Sequence, residues 1–198
     1  MKDIRIIIAA ALVLCAIFTA ACWDAVELSD TAIVLGIGID GSEEEIKLTV
    51  ELSGAESSDS TVMQSSAKSI SECVKIIQSL NGEELFWGGT AVIVYGESLN
   101  EKWLANSALF LYRDLGVSGN TPIIRTEDST ASDVLHGSIG QSPSVSLGLS
   151  EAIHRNSAAA DNMDLIALIE GFMDKETIYI DAAVEVDENG AVRMADEL

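Results

Sequence analysis

Thr31-Ala32-Ile33-Val34-Leu35-Gly36-Ile37-Gly38-Ile39-Asp40 is followed, after residues 41–45, by Ile46-Lys47-Leu48-Thr49-Val50-Glu51-Leu52. The first stretch is rich in β-branched residues and apolar on both faces in part, which reads as a strand ending at the Asp40-Gly41 turn signal. The second alternates apolar and polar residues strictly, the mark of a half-buried strand whose successive side chains point to opposite faces. The two are expected to pair as an antiparallel hairpin across Asp40 to Glu45. Gly36 and Gly38 do not make a dinucleotide-binding fingerprint: the third glycine is absent and a hairpin follows instead of a helix. They are expected to mark close packing or a bulge.

Toward the C-terminus the chain alternates between the two periods. Gly54 to Ser66 is Ser-rich with little apolar content and reads as a mobile loop. Ser69 to Leu80 carries Ile70, Cys73, Val74, Ile77 and Leu80 at helical spacing and stops at Asn81-Gly82. Cys73 lies on that apolar stripe, where a small buried hydrophobe is the simpler role for it than a nucleophile. Thr90 to Tyr95 reads as a central buried strand, Leu99 to Leu115 as a helix, and Thr121 to Arg125 as a short strand. Thr130 to Leu135 opens a short helix with Ser129 or Thr130 as its cap. Gly137 to Ser144 is a loop, and a possible domain sub-boundary. Helices are expected over 145–160 and 163–172, then a strand over 178–186 and a turn at Glu188-Asn189-Gly190 leading to 191–194. Strands at both ends bracketing helices and inner strands give an α+β class, with a mixed or antiparallel sheet and flanking helices.

Toward the N-terminus the composition changes. Met1 to Arg5 is a short, mildly basic segment, and Ile6 to Phe18 is an uninterrupted apolar run of signal-peptide length. Thr19-Ala20-Ala21-Cys22 follows: small residues before a cysteine, as lipoprotein signal peptidase requires. Residues 1–21 are read as a lipoprotein signal peptide and Cys22 as the lipid-attachment residue, beginning a mature region 22–198. The usual lipobox has Leu where this chain has Thr19. Secretion with cleavage after Ala21, and an uncleaved anchor helix, are the alternatives. Trp23 has two readings, an aromatic at the membrane interface or a buried staple for the first strand.

The 198 residues carry a formal net charge of -21, so phosphate backbones and anionic surfaces are poor partners and no nucleic acid is expected. The cysteines are Cys15, Cys22 and Cys73, with no spacing that suits zinc. His136 and His154, the two histidines, lack His or Cys partners at ligand spacing, and neither a phosphate loop nor a nucleophile elbow is present. Arg113-Asp114 reads as an ion pair at a helix end rather than a ligand site. No catalytic residue, metal site or cofactor is expected.

Taken together, Cys22-Trp23-Asp24 with Glu27-Leu28, followed by Gly36-Ile37-Gly38-Ile39-Asp40, resembles the start of the C-subunit lipoproteins of spore germinant receptors, the Ger(x)C family. Ala91-Val92-Ile93-Val94-Tyr95-Gly96-Glu97-Ser98-Leu99 resembles the family's strand running into a Gly-Glu element. Phe110-Leu111-Tyr112-Arg113-Asp114 is similar to its helix-ending Arg-Asp pair. Ile180 to Val184 through Arg193-Met194 is similar to a family strand and turn, with Asp181 or Ala182 and Glu185 in place of its Gly and Phe. The resemblance covers the N-terminal part of a typical member, and the usual C-terminal domain is expected to be absent. It implies a non-enzymatic protein, lipid-anchored on the outer face of the spore inner membrane. The implied partners are that membrane and the two integral-membrane receptor subunits, in the response to small nutrients. The alternative is an exported lipoprotein that binds a small ligand for another system.

Overall fold

A computed structural model describes residues 31–42, 44–54, 60–156, 163–174, 178, 180 and 182–195. The leader, Cys22 and Trp23 lie outside the described residues. Eight strands form one mixed sheet in the order β3-β2-β1-β5-β6-β7-β8, with β4 paired to β1 off that path. The strands are β1 Thr31–Gly41, β2 Ile46–Ser53, β3 Ser60–Ala67, β4 Glu84–Phe86, β5 Val92–Tyr95, β6 Ile123–Thr126, β7 Ala183–Val186 and β8 Val192–Met194. The helices, numbered in chain order, are α1 Ile70–Asn81, α2 Glu101–Arg113, α3 Ala131–His136, α4 Val145–Asn156 and α5 Leu165–Asp174. The class is α+β, and the sheet is mixed: β1, β5, β6 and β7 run parallel, while β2, β3 and β8 are antiparallel to their neighbours.

The expected hairpin forms, and its odd feature organises the molecule. β1 pairs with β2 from Gly41↔Ile46 to Gly36↔Glu51, and the register shifts between Val34 and Gly36. One extra residue in a strand reverses which side later side chains take. Ala32 and Val34 before the bulge, and Ile37 and Ile39 after it, therefore all reach the same core. Ile46, Leu48, Val50 and Leu52 of β2 join them there, under Cys73 and Ile77 of α1, Leu111 of α2, and Leu165 and Leu168 of α5. The opposite face of the sheet carries a second core, built from Val92, Val94, Ile124 and Val184 under α3 and α4. Strand β5, with all four residues buried and neighbours on both sides, serves both cores in alternation. Burial on both faces is why it reads as a continuous apolar run.

Helix limits follow from local chemistry. Ser69 caps α1 by accepting from Glu72 N–H, and Gly82 ends it in the left-handed region at φ 76°. Asn100 caps α2, and Asp164 accepts from Ala167 N–H at the start of α5. Of the two cap candidates before α3, Thr130 is the cap, in a reciprocal capping box with Asp133.

Two expectations are corrected. Ser60–Ala67 is a strand, not part of a loop. An outermost strand needs a partner on one side only and little apolar burial, so its Ser-rich composition hid it. The strand expected over 178–186 begins at Ala183; Ile178 and Ile180 instead pack as partly buried loop residues against the larger core.

Candidate functional site

The alternate residues of the hairpin that do not enter the larger core are Gly36, Gly38 and Asp40 on β1, opposite Glu51, Thr49 and Lys47 on β2. This polar face lies under α3 and α4. Those helices approach closely because the glycines have no side chain: a Cβ on Gly36 would fall on the Ser146 hydroxyl, and one on Gly38 would lie 3.2 Å from the Ala131 carbonyl oxygen.

Two carboxylates of this face each hold a helix. Asp40 accepts from the N–H groups of Ala131 at 2.8 Å and Ser132 at 3.0 Å. Glu51 accepts from Val145 N–H at 3.1 Å, Ser146 N–H at 2.8 Å and the Ser60 hydroxyl. In both helices the third N–H goes to a local hydroxyl: Asp133 N–H to Thr130 Oγ1 at 3.0 Å, and Leu147 N–H to Ser144 Oγ at 3.2 Å. The first turn of a helix exposes N–H donors that the helix itself cannot satisfy, and its positive end favours an anion. Each short helix thus receives one local hydroxyl and one carboxylate from the distant hairpin. Asp40 is 7% exposed and Glu51 is fully buried. Burial pushes the Asp40 carboxyl above the usual range; the two N–H donors and Lys47 pull it back part of the way, and Asp133 adds a small repulsion. On the same face, Thr49 Oγ1 and Ser146 Oγ are buried with no hydrogen-bond partner among the described residues.

Beside this clasp are two clefts that share His136 and Gly137. One, of about 470 Å³, is bordered by Ser60, Val62, His136, Ser138, Ser142 and Pro143. The other, of about 420 Å³, is bordered by Asp128, Asp133, Asp187 and Glu188. His136 Nδ1 lies 2.8 Å from the Ser132 carbonyl. A carbonyl can only accept, so Nδ1–H donates and Nε2 carries the lone pair of the neutral ring.

The other singled-out residues fall as follows. Cys73 is fully buried; its thiol donates to the Ile46 carbonyl at 3.4 Å, and burial pushes its pKa up. That disfavours the thiolate and matches the role of a small hydrophobe. Arg113 and Asp114 form the expected ion pair at 3.2 Å, on the surface at the end of α2. His154 is exposed on α4 and borders neither of these clefts. Among the described residues no group of three or more His, Cys, Asp or Glu is placed to hold a metal ion, and no helix is long and apolar enough to cross a membrane. Asp40 and Glu51 escaped the sequence reading because one stood at a turn signal and the other in an alternating strand whose polar side was taken for a solvent face. The signal for them was the pair of glycines on that same side, which only a covered face requires.

A family model described as Spore germination protein N-terminal domain matches residues 24–182. No curated protein matches the chain, and no solved structure does.

Proposed function

The chain belongs to the family of the spore germination protein N-terminal domain, with a role in germination, and from that premise we propose that it is a lipid-anchored, non-catalytic subunit of a germinant-receptor complex. The observation that carries this reading is the position of the matched span, which opens at Asp24, two residues past the cysteine that ends a signal-like leader. Diacylglycerol on Cys22 would hold the folded region against the outer face of the spore inner membrane. Contacts with the two integral-membrane subunits would then couple it to nutrient detection. The arrangement of the hairpin supports a scaffold: its buried carboxylates are occupied by helix N–H donors and hold two helices in place instead of facing a substrate. Replacement of Cys22 by Ala tests the tether. The protein is expected to leave the membrane fraction of spores, with a weakened response to nutrients. Unchanged membrane retention would discard lipid attachment at this residue.

A second reading, an exported small-ligand-binding lipoprotein, is favoured by the cleft of about 470 Å³ with Ser60, His136, Ser138 and Ser142 at its border. It predicts that one of a panel of amino acids and sugars raises the melting temperature of the wild-type chain but not that of the His136→Ala variant. No shift with any of the panel would set it aside.

A further inference from the structure

Asp40-Gly41, Asn81-Gly82 and Asn189-Gly190 share a local chemistry. In each pair the glycine nitrogen can attack the preceding side-chain carbonyl carbon, because glycine places no Cβ beside the attacking atom. Two conditions decide whether it does. The side chain must be free to turn back over the next amide, and that amide must leave its hydrogen bond.

The fold separates the three. The Asp40 carboxylate is held by Ala131 N–H and Ser132 N–H. Gly41 pairs with Ile46, and a Cβ on it would lie 2.9 Å from Leu99 Cδ1. Asn81 is the last residue of α1, and its side-chain nitrogen is buried. Gly82 N–H donates to the Gln78 carbonyl at 3.1 Å, so attack there requires the end of α1 to unwind. Asn189 is exposed at the tip of the hairpin that joins β7 to the three-residue β8. Gly190 N–H donates to the Asp187 carbonyl at 2.9 Å, so attack there requires only this turn to open. The Asp187 side chain holds the turn closed. Its Oδ1 accepts from Asn189 N–H and Ala191 N–H, each at 2.9 Å, and its Oδ2 meets Arg193 at 2.9 Å.

We propose that Asn189 is a site of spontaneous deamidation, that the Asp187 clamp sets its rate, and that the product unfastens β8. The Gly190 nitrogen loses its proton to solvent base and bonds to the Asn189 Cγ. The bond from Cγ to the amide nitrogen breaks, and that nitrogen takes up a proton and leaves as ammonia. Water then opens the cyclic imide at either carbonyl, giving aspartate or isoaspartate without any oxidant or cofactor. In isoaspartate the main chain runs through the former side chain, which lengthens the backbone between residues 189 and 190. Gly190 is thereby displaced. Its carbonyl accepts from Ser138 N–H at 2.9 Å, and Val192 N–H donates to the Ser138 carbonyl at 2.8 Å. These two bonds fasten β8 to the loop after α3. Either product also sets a new carboxylate beside Asp187 and Glu188. The inference is independent of the lipid anchor and of the receptor reading.

The test ages the full chain in mild detergent at mildly alkaline pH. Peptide mapping by mass spectrometry counts conversion at each site, with fragmentation that distinguishes aspartate from isoaspartate. In the folded chain Asn189 is expected to convert about tenfold or more faster than Asn81, because a hairpin tip opens more readily than a packed helix end. In urea the two rates are expected to converge. Asp187→Ala is expected to raise the Asn189 rate about fivefold and to leave that of Asn81 unchanged, which separates loss of the clamp from general unfolding. Hydrogen exchange at the Ser138 and Val192 amides is expected to quicken as the wild type ages but not as Asn189→Gln does. Equal conversion of Asn81 and Asn189 in the folded chain overturns the proposal, as does an intact Asn189 once the unfolded chain has converted. An unchanged Asn189 rate in Asp187→Ala overturns the clamp, and unchanged exchange in the aged wild type overturns the release of β8.

Discussion

The carboxylate of Asp40 accepts from the N–H of Ala131 at 2.8 Å, across 91 positions of sequence. Through this bond and its neighbour on Ser132, the last side chain on one face of β1 decides where α3 begins. Replacing Asp40 by Ala leaves two buried N–H donors without a partner. Each such loss costs about 1–3 kcal/mol, so Asp40→Ala is expected to lower unfolding stability by about 2–4 kcal/mol, read from urea denaturation. Asp40→Asn retains one acceptor oxygen and is expected to cost less.

Asp40 also has a pH signature. Its folded pKa is raised above the ordinary value of 3.8, first by burial. The folded state therefore holds this proton more tightly than the unfolded chain does. The associated stability is fully present below the unfolded pKa and is lost as pH rises through the folded pKa. Asp133 and Asp187 act in the opposite direction. Their pKa values are depressed, chiefly by the Thr130 hydroxyl and by Ala191 N–H respectively, so their contribution is lost as pH falls. The difference in urea midpoint between wild type and Asp40→Asn cancels Asp187 and leaves, of Asp133, only its weak repulsion with Asp40. It is expected to shift against the wild type as pH rises from about 4. A difference that is flat in pH would mean that Asp40 is not desolvated as its surroundings indicate.

Glu51 makes a separable prediction. It holds Val145 N–H, Ser146 N–H and the Ser60 hydroxyl, joining α4, β2 and β3 at one point. Glu51→Ala is expected to cost about 3 kcal/mol or more, since it leaves two buried N–H donors and a hydroxyl without their acceptor. Hydrogen exchange locates the effect: amides at the start of α4 should exchange faster, while those of α1 on the other face change only with global stability. Equal acceleration on both faces would place the role of Glu51 elsewhere.

What the sequence allowed, and what it hid, follows from which interactions are local. The hairpin, β5 and the span of α1 were legible because burial writes itself as period two, as an unbroken apolar run, or as period 3.6. The Arg113–Asp114 ion pair was legible because its partners are adjacent. β3 was not, because the backbone ladder of an edge strand imposes little on side-chain type. The clasp was not either: the bond from Ser146 N–H to Glu51 spans 95 positions, and no local pattern announces it. The Gly-Ile-Gly-Ile-Asp motif that carried the family resemblance now has a physical content. Its alternate residues are two sites of close helix approach followed by a helix-capping carboxylate.

Cys73 tests the larger core. Its thiol is buried against the Ile46 carbonyl, and its own carbonyl accepts from the Ser65 hydroxyl at 3.0 Å, tying α1 to β3. Reaction with a thiol reagent therefore requires α1 to lift. In the chain with Cys15→Ser and Cys22→Ser, labelling under native conditions is expected to be slow and to become rapid in denaturant. Ser65→Ala removes a bond worth about 1 kcal/mol and is expected to raise the native labelling rate about fivefold. Fast labelling of the folded wild type would contradict the buried placement.

Gly36 and Ser146 form the tightest approach between the hairpin and α4. A Cβ at position 36 would meet the Ser146 hydroxyl, with Ser146 Cβ at 2.7 Å and Leu135 Cδ2 at 3.4 Å. The first two contacts come from one side chain and the third is an ordinary distance. Gly36→Ala is therefore expected to destabilise by about 1–3 kcal/mol, the range for forcing an extra carbon into a packed interior. Ser146→Gly removes the obstructing atoms while retaining the backbone N–H that Glu51 binds, at the cost of a glycine near the start of α4. In the double variant the added methyl occupies the space vacated by the serine. The pair is expected to be more stable than the sum of the single effects by about 1 kcal/mol, measured as a double-mutant cycle in urea. Strict additivity would mean that α4 shifts to admit the methyl by itself, and that the two helices above the hairpin are held less rigidly than their shared capping scheme requires.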